Sequence, residues 1–398
     1  MRFNIFQRRE AKANPIGQSL LVGVDTAFAR WDTQAYIKEG YQYNPVVYMA
    51  VEEIAKAIAA LQIEVYRGED YVEKLPVYDL LSMPNPMMTG QSLIKAVFVD
   101  YLVTGEMAIA QPIGQKVPAE LWPISSREIE VVPGRGGIPA AYIHRRNGQT
   151  VNFPVSGLVS PRADLFFFKR HNPTDYWRGM SPMAPAAIMA DIHNRGSEWN
   201  NSMLKNGAKP SGIVSFEGDP SPDTVSRMKE WFKRAFQGSA NAGEIPVLVG
   251  GAKFTQSSLS PVDMDFRESM TEAKKLIAGV YGIPLPLLDT GGATFANMEI
   301  AQEKFYTDTV IPLANEWLQA FGAWLLPKFG PDLSFKIDMD AIPALEAVRG
   351  RKADRTLKLL AAGILTIDEA REEIGYDPMT DSPDDAALAY GEPDGNAQ

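Results

Sequence analysis

An α+β chain assembled from several modules is what the 398-residue sequence predicts, on three observations. Val47, Ala50, Val51, Ile54, Ala55 and Ile58 recur at spacings of three and four, which marks a helix buried along one face. Asn147-Gly148 stands between two strand-like runs, and both positions of a type I′ turn need positive φ, so a hairpin is predicted there. Pro210 and Ser260-Pro261 fence off a compact βαββ-like insert lying between two helical runs.

In chain order, Ile63–Tyr66 alternates like a strand, and a helix is predicted from Gly90 to about Val103 after the breaker-rich SMPNPMMTG. Strand-like pieces follow at Glu106–Ile113, Glu128–Val132, Ala140–Arg145 and Val151–Phe153, and DLFFFKR closes the first α+β region. Ser181 as cap and Pro182 as first helical residue open a helix in which Ile188, Ile192, Trp199 and Met203 share a face, ended by Asn206-Gly207. The insert reads as strand GIVSFEG, a helix with Val225, Met228, Phe232 and Phe236 inward, then IPVLVGG and AKFTQSS. Ser260 and Asp263 begin another helix, striped by Phe266, Met270, Ala273, Ile277 and Val280 and stopped by Gly282 and Pro284. A long helical pattern then runs from about Asn297 to Leu326, with Ala314, Leu318, Phe321 and Leu325 as its seam. Pro312 lacks an amide hydrogen and should kink it near Asp308. Beyond the strand LSFKIDMD comes a helix from about Ala344, then a capping box, Thr366 to Glu369, opening a short last helix. Residues 377–398 carry acids, Gly, Pro and Ala but no Lys or Arg, and are expected to be disordered.

Composition narrows the function. Hydrophobic and charged shares of 45% and 22% are those of a folded globular chain. The net charge of −10 argues against gripping nucleic acid through counterion release, which needs surplus cations, yet permits nucleic acid to slide past. Cysteine is absent, removing disulfides, thiolate metal sites and thiol nucleophiles. The three histidines, His144, His171 and His193, lack metal-ligand spacing and are expected to be surface or capping residues. With no run of 18 apolar residues, no membrane association is expected, nor any cofactor or metal.

Leu287-Leu288-Asp289-Thr290-Gly291-Gly292 resembles the catalytic loop of retroviral and pepsin-like aspartic proteases. Such chemistry needs a second Asp facing Asp289 and sharing its proton. The chain has one Asp-Thr-Gly, set after Pro284 and Pro286 rather than after a clean strand, so a mechanical turn is the preferred reading. Gly134–Gly137 and Gly250–Lys253 lack phosphate-loop spacing and read as turns. Arg162, Lys169, Arg170 and Arg178 are interleaved with Asp164 and Asp175, which suits an anion site or subunit salt bridges equally. Asp263/Asp265 and Glu372/Glu373 do not face each other on helices. No enzyme constellation survives.

Four stretches, NPVVYMAVEEIAKAIAALQIEVYR, QSLIKAVFVDYLVTGEMAIA, RGMSPMAPAAI with MLKNGAKPSGIV, and GIPLPLLDTGGATFANMEIAQEKFYTDTVIPLANEW, resemble in their order the portal proteins of tailed double-stranded DNA phages, over roughly Asn44 to Asp377. That resemblance implies a ring, usually dodecameric, in the virion at the capsid portal vertex, after assembly in the host cytoplasm. It implies as partners the terminase large subunit, a head–tail adaptor protein, the major capsid protein, and double-stranded DNA passing without sequence specificity. It maps residues 44–180 and 297–343 to a wing, 181–209 and 260–282 to stem helices, 210–259 to a clip, 283–296 to a tunnel loop and 344–376 to a crown. Residues 1–43, outside the resemblance, are expected to be a flexible arm. On this reading Asp289, Thr290, Gly291, Gly292, Ala293, Thr294 and Phe295 face DNA. Arg267, Glu268, Thr271, Lys274 and Lys275 serve the channel or subunit contacts, and Lys229, Glu230, Lys233 and Arg234 form a docking face on the clip. Twelve acidic subunits would sum to roughly −120 and keep DNA centred. A dimeric aspartic protease using Asp289, or a scaffold or adaptor without a channel, are the alternatives.

Overall fold

The structure, a computed structural model, describes residues 32–157, 163–205, 266–288, 291, 294–376 and 378–379, with short pieces at 212–215, 223, 226–227 and 253–256. Helix α1 (Thr33–Ala35, continued as a π-helix over Tyr36–Gln42) leads into α2 (Pro45–Ala59), α3 (Pro76–Ser82) and α4 (Gly90–Thr104). The predicted apolar face of α2 is buried throughout, and α2 packs against α4. Asn44 caps α2 by accepting from Val46 and Val47 N–H, while its own amide reaches the Asn194 side chain at 2.8 Å. Here sequence and structure part: the arm expected over 1–43 is helical from Thr33, and Tyr36, Ile37 and Tyr41 pack on the core.

Three small sheets flank these helices. Strand β1 (Ile63–Arg67) pairs with β2 (Asp70–Tyr71) on one side and with β11 (Leu333–Ile337) on the other, in register Ile63↔Ile337. This pairing sews the N-terminal region to the distant segment Leu333–Ile337. A second sheet has the order β4 (Trp122–Ile124), β3 (Glu106–Ala110), β8 (Leu165–Lys169), with β3 wholly buried. A third joins β5 (Ile129–Val132), β6 (Ala141–Arg146) and β7 (Gln149–Pro154). The β6–β7 turn is the predicted hairpin, with φ of 50° at Asn147 and 78° at Gly148. Of the insert, β9 (Gly212–Ser215) and β10 (Lys253–Gln256) are described and pair antiparallel.

Helix α5 (Met183–Lys205) runs beside α6 (Phe266–Tyr281). Short α7 (Leu285–Leu288) follows, then α8 (Phe295–Phe305), a π-helical turn (Tyr306–Val310) and α9 (Ile311–Leu325). The π-turn ends two residues before Pro312, whose missing N–H and bulky ring interrupt the ladder where the kink was expected. Trp317 on α9 is buried, stacked on Phe321 at 5.0 Å and edge-on to Phe98 of α4 at 5.3 Å. Last come α10 (Glu346–Ala361) and α11 (Ile367–Glu373), the latter opened by the predicted capping box.

One predicted face is corrected. Ile188 of α5 is 51% exposed, whereas Ala186, Ala187, Ala190 and the polar Asp191 and Asn194 are buried. Small residues let the neighbouring helices approach closely, and a Cβ on Gly196 would lie 2.7 Å from the Met270 sulfur of α6.

The entry to α5 is held by a buried ion pair. Glu106, with its side chain 3% exposed, accepts from Arg178 Nη2 at 2.6 Å and Nε at 2.9 Å, and from Gly179 N–H at 2.5 Å. Arg178 Nη1 donates onward to the Ile129 carbonyl at 2.7 Å, so the strongest contact in the predicted basic cluster lies within one chain. Lys169 and Arg170 lie instead over the rings of Tyr176 and Tyr101.

Burial pushes the Glu106 carboxyl above the usual carboxylate range, with the Arg178 charge and the Gly179 N–H pulling against it. Arg178→Ala removes that opposing charge and should raise the Glu106 pKa further. A carboxyl with a raised folded-state pKa gives stability that is held below the unfolded value and lost as pH climbs through the folded one. The variant should therefore lose about 2–4 kcal/mol near pH 8, discounted for the partial exposure of Arg178, and recover part of it at pH 5. Denaturant unfolding at the two pH values checks this; an equal deficit at both would remove the ion pair from the explanation.

Candidate functional site

The candidate site runs from α6 through α7 to the start of α8, the segment carrying Asp-Thr-Gly. Helix α6 keeps Ala273, Ile277 and Ala278 buried, while Leu276 and Val280 are exposed. Glu268 and Thr271 are exposed, and Lys275 pairs with Glu272 at 3.5 Å one turn away. Lys274 is half-buried and lies close enough to His193 of α5 to act on it: burial lowers the His193 pKa and the lysine charge adds to the effect. The fifth predicted stem residue, Arg267, lies in α6 with its side chain outside the described residues.

At its C-terminus α6 is bolted to the rest of the fold. Tyr281 is buried and donates its hydroxyl to the Leu102 carbonyl of α4 at 3.1 Å, and burial raises its pKa. Gly282 has φ of 70°, and its carbonyl accepts from Thr309 Oγ1 at 2.6 Å. That hydroxyl would stand 2.7 Å from any Cβ on Gly282, so glycine is required both for conformation and for space. Neither anchor stands out in the sequence except through Gly282, which reads there only as a helix stop.

The loop is shorter than expected. Residues 285–288 are α7, and Thr294 caps α8 by accepting from Asn297 N–H at 3.3 Å, so Thr294 and Phe295 begin a helix instead of lying in the loop. Phe295, in the first turn, is 88% exposed, and Ile300 on the same helix is exposed too. Gly291 is exposed. Asp289, Thr290, Gly292 and Ala293 lie outside the described residues, as do the clip residues Lys229, Glu230, Lys233 and Arg234. The helix α7 immediately before Asp289 stands where the protease reading needs a strand. Among the described residues no group of three or more potential metal ligands occurs, and no helix is long and apolar enough to cross a membrane. His144, on the central strand β6, sits against Glu128 at 2.9 Å, a structural contact.

Comparison with known proteins fits this architecture. A family model described as phage portal protein matches residues 45–375, and the chain belongs to that family. A protein of Rickettsia felis is 27% identical over 347 residues, covering 86% of this chain and 89% of the relative. The probable portal protein of Streptomyces phage phiC31 is 27% identical, over 61% of this chain and 52% of that one. Among solved structures, a chain in the neck of an empty GTA particle aligns with a TM-score of 0.70 at 32% identity, covering 88% of this chain and 95% of that chain. A chain in the neck of the native GTA particle, computed with twelvefold symmetry, gives 0.67 at 31% identity over the same shares. A portal protein of the HK97 family from Corynebacterium diphtheriae shares the fold, with a TM-score of 0.55 at 16% identity over 76% of this chain and 96% of that one.

The junction after α6 generates a paired prediction. Gly282→Ala should cost about 1–2 kcal/mol from the left-handed backbone alone, and more if the Thr309 hydroxyl is displaced. Gly279→Ala, in the helix with open space around it, should be neutral or stabilise by up to about 1 kcal/mol. Chemical denaturation of both variants checks the contrast, and equal effects would show that Gly282 carries no special constraint.

Proposed function

We propose that the protein works as a portal subunit: twelve copies close into a ring at one vertex of a phage or phage-like capsid, and double-stranded DNA moves through the ring during packaging and ejection. The observation that carries this reading is the family match over 45–375, joined to similarity over 88% of the chain with a chain in a neck computed with twelvefold symmetry. In this role the protein is structural and not an enzyme. The terminase large subunit, a separate motor, docks on the clip at 210–259 and a head–tail adaptor replaces it there, while the major capsid protein surrounds the ring. Segment 283–296 then approaches the duplex, and the exposed stem side chains Leu276 and Val280 face a neighbouring copy.

Physical chemistry supports a passage in place of a clamp. Each Lys or Arg that holds a phosphate releases counterions and must be torn free for DNA to advance. Of the described stem lysines, Lys275 pairs with Glu272, and Lys274 is half-buried, its charge disfavouring protonation of His193.

A ring of twelve should have a mass of 12 × 43.8 kDa, about 526 kDa, by light scattering. A monomer or dimer at all concentrations would defeat the proposal. Deleting Thr290–Thr294 should leave rings that assemble but package or retain DNA poorly, because the loop and the cap of α8 go together. Asp289→Asn should package nearly normally; acid-dependent peptide cleavage lost in that variant would restore the protease alternative. Reversing Lys233 and Arg234 together should weaken docking of the motor or the adaptor and leave the ring intact.

A further inference from the structure

Helix α10 is unusual in how little of it the fold covers. Thr356 alone of its sixteen residues is buried, and Leu357 and the following Ile364 are well exposed. It is also the cationic helix of an acidic protein, with Arg349, Arg351, Lys352, Arg355 and Lys358 against Glu346 and Asp354. Three of the cations are engaged: Arg349 with Asp340 at 3.9 Å, Arg351 with Glu303 at 2.6 Å, and Lys352 with Glu373 of α11 at 3.6 Å. Arg355 and Lys358, one turn apart near the C-terminal end, make no ion pair among the described residues, not even with the nearby Asp354.

The chain itself supplies a complement. Helix α11 runs back along α10, and the residues after it turn again, for Met379 N–H donates to Asp368 Oδ1 at 2.9 Å in the first turn of α11. The chain is thereby led toward the end of α10 that carries Lys358. Asp384 and Asp385 follow Met379 by five and six residues, a reach of at most about 17–21 Å. After them comes the apolar run 386–390, AALAY, and from 380 to 398 there are five acids and no Lys or Arg.

We propose that segment 380–398 docks on the exposed face of α10 in its own chain, with Asp384 and Asp385 against Arg355 and Lys358, and the apolar run over Leu357 and Ile364. Sign and order match: acids come first for the two cations that make no ion pair among the described residues, and apolar residues follow where apolar side chains are bare. The docked segment screens a cationic patch from passing polyanions, a consequence that rests on the portal reading, although the docking itself does not.

The test uses full-length protein and a zero-length carbodiimide, which condenses a carboxylate with an amine and reports direct contact. Peptide mapping should find Asp384 or Asp385 joined to Lys358, with the yield falling severalfold in 1 M NaCl, where screening acts within about 3 Å. Acetylation of Lys358 should be severalfold slower in the full chain than in a chain stopped after Met379, whose circular dichroism should be otherwise unchanged. In oligomers assembled from mixed light and heavy isotope-labelled chains, the links should stay within one label. Equal Lys358 reactivity with and without the segment would overturn the proposal. So would links joining light to heavy chains, or protection of Lys358 that duplex DNA confers whether or not the segment is present.

Discussion

The position of the two long antiparallel helices depends on the ion pair between Glu106 and Arg178. Glu106 opens β3, the central strand of its sheet, and Arg178 stands just before α5, so their fork ties a sheet to the root of a helix 23 residues long. The backbones meet there as well. A Cβ on Gly105 would fall 2.4 Å from the Met180 carbonyl, and one on Gly179 2.2 Å from the Gly105 carbonyl. Ser181 completes the joint by donating to the Val103 carbonyl while accepting from Met183 N–H, which caps α5. A buried ion pair returns little net stability after desolvation, but it tolerates few geometries. Its role here is to set the direction in which α5 leaves the sheet.

From that root the helix pair is fastened at two further levels. Asn194, midway along α5, donates to the Glu39 carbonyl and accepts from Asn44, the residue that caps α2. Tyr281 and Gly282 fasten the end of α6 to α4 and to the π-turn before α9. Because buried polar groups must be paired, these bonds specify one arrangement where interchangeable apolar contacts would allow sliding. The segment carrying Asp-Thr-Gly therefore leaves a fixed point at Gly282 and re-enters one at Thr294.

What could be read from the sequence follows from the range of the forces involved. The face of α2, the Asn147-Gly148 hairpin, the Thr366–Glu369 capping box and the break before Pro312 are set by residues within a turn or two of one another, and all are found as expected. Strand β4 is three residues long with Pro123 at its centre, so it carries no periodic signal and exists because β3 offers it a partner. The face of α5 was misread because periodicity weights large apolar residues, whereas close helix packing selects Ala186, Ala190 and Gly196. At the candidate site Gly282 had a local signal as a helix stop, whereas Thr294, expected in the loop, proves to be a helix cap, and the partners Leu102 and Thr309 are brought in by the tertiary fold. The loop's limits needed the structure, since LPLL could equally have been extended chain.

Those limits bear on how such a loop could touch a moving duplex. Five residues, 289–293, separate α7 from the cap of α8, and a chain that short spans at most about 18 Å. A link of that length limits how far it can reach from its two anchors, and the exposed Phe295 beside it is carried on a helix. A duplex presents no free base faces, so an aromatic ring there finds no stacking partner of the kind that holds single strands. Its contacts with the sugar–phosphate surface are dispersion contacts of about 0.1–0.2 kcal/mol per atom pair, and they release no counterions. In the portal reading, the surface nearest the DNA thus combines small residues, one acid and an apolar ring, while on the stem Lys275 pairs with Glu272 and Lys274 is half-buried beside α5. Contact of that kind has shallow minima at every step along the duplex, and shallow minima let a polyanion advance in either direction without a preferred stopping place.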